Sequence, residues 1–176
     1  MRKLNRKLLA PLAVVLLLLI GVPGGLVVAR RLKSADAALL KRAAAAAAGG
    51  RDAEAAILYK QTLEANPNSW QAHFGLARLS EAKGNLSKAL KHYLAAARSN
   101  PRKVELLVAL GTLSEKLQLW RPLEAAADRL LAIQPQNPTA HYWKALALRA
   151  AGQRDRAIEQ AQQAVELDPD HPQSTT

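Results

Sequence analysis

The chain has 176 residues, of which 49% are apolar but only 4% aromatic, and it contains no cysteine. That length holds one domain and a short accessory segment, and the missing thiol excludes disulfides, thiolate zinc sites, thiol nucleophiles and a lipoprotein-type anchor. The net charge of +11 is uneven: residues 1–33 carry seven basic residues and no acid, leaving +4 for residues 34–176, so nucleic acid is not an expected partner.

From Leu8 to Ala29 no residue is charged. As a helix this stretch reaches about 33 Å, enough for a hydrocarbon core about 30 Å thick. Residues 1–33 are therefore read as a basic N-terminus and a transmembrane signal-anchor helix, contacting membrane lipid through residues 8–29. Pro23 between Gly21 and Gly25 predicts a kink in its second half. Arg30 and Arg31 fit a stop at the membrane surface. Cleavage after Val27-Val28-Ala29 is the alternative, and it would leave a soluble periplasmic chain. A short basic start ahead of a first apolar helix stays in the cytoplasm, which puts the remainder on the periplasmic side of a bacterial inner membrane as a single-pass protein.

Beyond residue 33, alanine and leucine dominate and β-branched and aromatic residues are scarce, which favours helices. Pro67, Pro101, Pro135 and Pro169 recur at one constant interval, and each follows a polar residue: Asn66, Asn100, Gln134 and Asp168. Gly50, Gly84, Gln118 and Gly152 recur in the same register, as do Ala55, Ala89, Leu123 and Ala157. Proline ends a helix and keeps the preceding residue extended. Glycine supplies the left-handed conformation that closes a turn between paired helices, and alanine allows close helix approach. Tyr59 and Tyr93, four residues after Ala55 and Ala89, share their faces and are expected to fill the gaps between helix pairs.

A 34-residue period of this kind resembles the tetratricopeptide repeat family, including its large-small pairs Leu76-Ala77 and Leu110-Gly111. The resemblance implies an all-α fold: the transmembrane helix, then a right-handed α-solenoid of four helix–turn–helix repeats. The repeat domain is placed at 34–171, with repeats at about 36–69, 70–103, 104–137 and 138–171, followed by a 172–176 tail. Repeat one departs from the pattern with the alanine run 43–48. Repeat three departs with Gln118 for the turn glycine and with Pro122 near a helix start, where proline is tolerated.

The resemblance also implies that the first helix of each pair lines a concave, partner-binding groove. In repeat two helical spacing nominates Gln71, Phe74, Arg78 and Glu81. Repeat three contributes Glu105, Val108, Thr112 and Glu115, and repeat four contributes Thr139, Tyr142, Leu146 and Arg149. The family's basic clamp for a terminal carboxylate is not reproduced, since Arg78 is the one cation among the corresponding positions. A second candidate interface is the face of the last helix with Ile158, Ala161 and Val165, because repeat arrays normally carry a further polar helix over such a face. A second copy of the chain is one candidate to cover it.

Catalytic, metal and cofactor sites are not expected. His73 and His141 stand two repeats apart, too far to share an ion, His92 adjoins Tyr93 and His171 lies in the tail. No phosphate loop, nucleophile elbow or zincin motif occurs. The expected function is a membrane-anchored adaptor that binds protein partners during assembly or stabilisation of an envelope or membrane complex. The alternative is a permanent accessory subunit of such a complex.

Overall fold

The computed structural model describes residues 36–169. The apolar segment 8–29, His171 and the 172–176 tail lie outside the described residues. Within them the fold is all-α, and no helix is long and apolar enough to cross a membrane. Helix α1 covers residues 36–48. It is followed by α2 (Asp52–Ala65), α3 (Trp70–Ala82), α4 (Leu86–Ser99), α5 (Val104–Lys116), α6 (Trp120–Ile133), α7 (Pro138–Ala150) and α8 (Arg154–Leu167). Corresponding helices start at the same interval as the prolines, so the sequence period is also the period of the backbone.

Two kinds of joint repeat with it. Within each pair the turn closes on a left-handed residue: Gly50, Gly84 and Gly152 have φ of 70°, 74° and 77°. Around Gly84, its N–H donates to the Glu81 carbonyl and the Asn85 N–H reaches back to Ser80, at 2.9 Å each. The other three turns repeat this double closure, including the one at Gln118, whose φ is 52°. Between pairs, Asn66, Asn100 and Gln134 are extended, with φ between −138° and −131° and ψ of 82° to 88°. The following proline enforces that geometry. Ser69 and Asn137 then cap α3 and α7 by accepting the backbone N–H of Ala72 and Ala140, satisfying donors that a helix start leaves unpaired.

Each pair packs on its neighbours, giving three connected apolar clusters. The first joins α1, α2 and α3 through Ala43, Ala46, Leu58, Tyr59 and Leu76. The second centres on Tyr93, Leu106, Leu110 and Leu113, and the third on Leu107, Leu123, Leu130 and Trp143. Each fully buried leucine stabilises the fold by about 1.5–3 kcal/mol relative to exposure. Ala55 and Ala89 are completely buried, consistent with close approach of neighbouring helices.

Large and small residues alternate across the seams between repeats. Tyr59 of α2 lies against Gly75 of α3, where a Cβ would overlap the phenol ring. Tyr93 and Ala109 share the next cluster. At the third seam the order reverses: Ala127 of α6 is the small residue and Trp143 of α7 the large one. Gly75, Ala109 and Trp143 occupy the same place in successive repeats, so one helix grows as its partner shrinks and interior density is maintained. Two polar ties reinforce the stack. Arg129 donates to the Ala97 carbonyl at 3.2 Å, and Lys144 bridges Glu124 (3.2 Å) and Asp128 (2.6 Å) on α6. Burial disfavours the Lys144 charge, but hydrogen bonds to Asp128 and Glu124 outweigh it and raise the pKa.

Candidate interaction surface

None of the twelve nominated first-helix residues is buried. Gln71 and Arg78 of α3, Glu105, Val108 and Thr112 of α5, and Arg149 of α7 are exposed, whereas Phe74, Glu81, Glu115, Thr139, Tyr142 and Leu146 are half-buried. On α3 and α4 a small patch forms. The Phe74 ring centroid is 5.7 Å from that of Tyr93, and the Arg78 guanidinium lies 6.0 Å from the Phe74 ring, within the reach of a cation–π contact. The Tyr93 hydroxyl donates to Glu81 at 2.7 Å. Burial first, and then that hydrogen bond, push the Tyr93 phenol far above its usual pKa.

Glu81 and Glu115 hold equivalent places in successive repeats, and each receives an aromatic donor. Glu115 accepts the Trp143 indole N–H at 2.8 Å. Burial, followed by the charge of Glu115 and a hydrogen bond to it, pushes the Tyr142 phenol up. Glu81 therefore ties the two helices of repeat two together, and Glu115 ties repeat three to repeat four. Spacing alone does not show this, because it leaves the aromatic donors unassigned.

The two surfaces nominated separately in repeat four are one. Tyr142, Leu146 and Arg149 of α7 face Ile158, Ala161 and Val165 of α8 across an open groove of about 380 Å³. Ile158 is 56% exposed and Val165 41%, so this face is uncovered among the described residues.

A histidine pair also escaped the sequence reading. His73 Nδ1 lies 3.2 Å from His92 Nδ1, while His73 Nε2 meets the Pro67 carbonyl at 3.1 Å. That carbonyl can only accept, so His73 carries its proton on Nε2 and His92 donates from Nδ1. Burial, then the neighbouring His73, Lys88 and Lys91, lower the His92 pKa. In repeat four His141 makes the same bond to Pro135, at 2.9 Å, with Gln160 in place of the second histidine. The arrangement is thus a joint between helix and loop. Among the described residues no group of three or more His, Asp or Glu side chains could hold a metal ion.

Residues 53–104 match the tetratricopeptide repeat family model. The described array resembles the tetratricopeptide repeat type. Residues 116–176 match the model of anaphase-promoting complex, cyclosome, subunit 3. Tetratricopeptide repeat protein 7A of Homo sapiens is 28% identical over 123 residues, covering 68% of this chain but 14% of that protein. Among solved structures, MamA from Desulfovibrio magneticus RS-1 superposes with a TM-score of 0.64 at 18% identity, covering 80% of this chain and 79% of that one. The Pseudomonas aeruginosa pilF protein superposes with a TM-score of 0.57 at 17% identity, covering 81% and 65%. At these identities the structural likenesses concern the fold.

Proposed function

We propose that this chain is a tetratricopeptide scaffold that binds protein partners and is held at a membrane by its N-terminal segment. The observation that carries the reading is that the nominated first-helix residues of three successive repeats are exposed or half-buried, with Phe74 and Arg78 of α3 in contact at the surface. Such a face suits an extended or helical peptide segment. The partner-binding step is equilibrium association without bond making, and no catalytic role is assigned to the chain. The anchor rests on the uncharged stretch Leu8–Ala29 and its basic flanks. It raises the effective concentration of partners in the membrane plane, with the repeats on the periplasmic side.

Extraction of the full-length chain in mild detergent, with native sizing before and after cross-linking, tests this function. Partners retained by the chain and lost with Phe74→Ala plus Arg78→Ala, at unchanged helicity, support it; retention by that variant would reject the first-helix face. An anchored chain stays in carbonate-washed membranes with its N-terminus intact, whereas a soluble mature chain starting after Ala29 would remove the membrane half of the proposal. The exposed Ile158 and Val165 favour one second reading, a permanent accessory subunit. It predicts a stoichiometric complex that survives washing without cross-linker.

A further inference from the structure

We infer that the groove between α7 and α8 is a seat for one amphipathic helix of a protein partner, which brings a carboxylate to Arg149 and bulky apolar residues to Ala161 and Ile158. The inference rests on the protein-binding reading and names the kind of partner for this end of the array. The groove is the next copy of a seat that is already filled. One repeat earlier, α7 lies on α5 and α6 with the Trp143 ring against Gly111, among Leu123, Ala127 and Leu130, and with its indole N–H on Glu115. Moved on by one repeat, these five positions become Ala145, Ala157, Ala161, Ala164 and Arg149, and all five line the open groove.

The replacements define what the occupant must change relative to α7. Glu115, an acceptor for the indole N–H, becomes Arg149, which only donates. A tryptophan N–H or tyrosine hydroxyl proton has no acceptor there, whereas a carboxylate does find donors. Arg154 lines the same groove and adds to the positive rim, and neither arginine forms an ion pair among the described residues. Glu124 and Asp128, which hold Lys144, become Ile158 and Gln162, so an apolar side chain replaces the lysine. Leu123 and Leu130 become alanines while Gly111 becomes Ala145, so room for an apolar side chain opens on the α8 side and narrows on the α7 side.

A second copy continuing the stack head to tail is mismatched. Its α1 would place Lys41 and Arg42 where Trp143 and Lys144 stand, opposing Arg149 and Ile158 with two cations. Charge complementarity instead favours the partner helix inferred above, with acidic and apolar character on one face.

The test uses fluorescently labelled peptides of residues 138–150 and the full-length chain in detergent, read by anisotropy. One peptide keeps the α7 sequence, and the other carries Tyr142→Glu, Trp143→Phe and Lys144→Leu. The redesigned peptide is expected to bind at least about tenfold more tightly. Arg149→Glu in the protein should erase that preference, and Ile158→Asp should abolish binding with helicity unchanged. Phe74→Ala plus Arg78→Ala should leave peptide binding intact, which separates this seat from the first-helix face. Equal affinity of the two peptides, or no binding of the redesigned one, would overturn the inference. So would amide-exchange protection of α8 equal to that of α6 in the isolated chain, since the chain's own residues would then fill the seat, and so would head-to-tail multimers in sedimentation.

Discussion

Trp143 occupies the space that a side chain at Gly111 would need, and an added Cβ would overlap its six-membered ring. Gly111→Ala thus sets two effects against each other. Helix propensity alone gains about 1 kcal/mol from replacing a mid-helix glycine, whereas overpacking against a rigid ring costs about 1–3 kcal/mol. Urea unfolding should show a net loss of up to about 2 kcal/mol, and Gly111→Ala should cause no loss when made in a Trp143→Leu background. A more stable Gly111→Ala variant would mean that the two residues do not meet.

The turn at Gln118 holds a non-glycine residue at φ 52°, where the three corresponding turns use glycine. Left-handed geometry costs such a residue about 1 kcal/mol, offset in part by the greater freedom glycine gives the unfolded chain. Gln118→Gly should stabilise the array by about 0.5–1 kcal/mol, whereas Gly84→Ala should destabilise it. Thermal melts of the pair decide the matter, and a loss for Gln118→Gly would count against a strained turn.

The histidine pair makes stability depend on pH. The folded pKa of His92 is lowered by burial and by His73, Lys88 and Lys91, so the unfolded chain binds the proton more readily. The stabilisation is complete above the unfolded value of about 6.5 and is lost as pH falls through that value toward the lowered folded one. The melting temperature should drop over this window. Repeat three carries Leu107 and Ala126 at the same two places, both buried, so His73→Leu with His92→Ala should fold and flatten this part of the profile. An unchanged slope in that variant would assign the pH dependence elsewhere.

Lys144 reaches two acids of the preceding repeat, but Glu124 and Asp128 remain 42% and 53% exposed. Lys144→Met keeps the aliphatic stem and removes the charge, so the cost should be about 1 kcal/mol or less. The difference from the unaltered protein should shrink in about 1 M salt, where charges are screened within about 3 Å. A larger, salt-independent loss would show that the stem packs differently.

Much of the architecture is legible in Pro67, Pro101, Pro135 and the three turn glycines, because each residue type there forces one backbone geometry. Exposure of the first-helix face also follows from helical spacing. Pairings across helices are less legible. His73 with His92, and Trp143 with Gly111 and Glu115, depend on how far each helix is rotated about its axis, which the period leaves open. One signal was available: aligned by the repeat period, Tyr59, Tyr93, Ala127 and Gly75, Ala109, Trp143 trade size in opposite directions. The groove of repeat four is legible only as two surfaces, because Tyr142 and Ile158 lie on different helices. Residues 8–29 are legible as an apolar span but lie outside the described structure.

The seams of this array are joined in series, each repeat touching only its neighbours, and they are unequal. The first helix is held by the single methyl groups of Ala43 and Ala46, with Leu39 and Leu40 only partly buried. The seam before α7 has Trp143, Leu123 and Leu130 locked inside. Burial energy scales with the area hidden, so the seam at α1 is softer than the seam before α7. A pull applied at α1 should therefore open the alanine seam before the tryptophan-filled one.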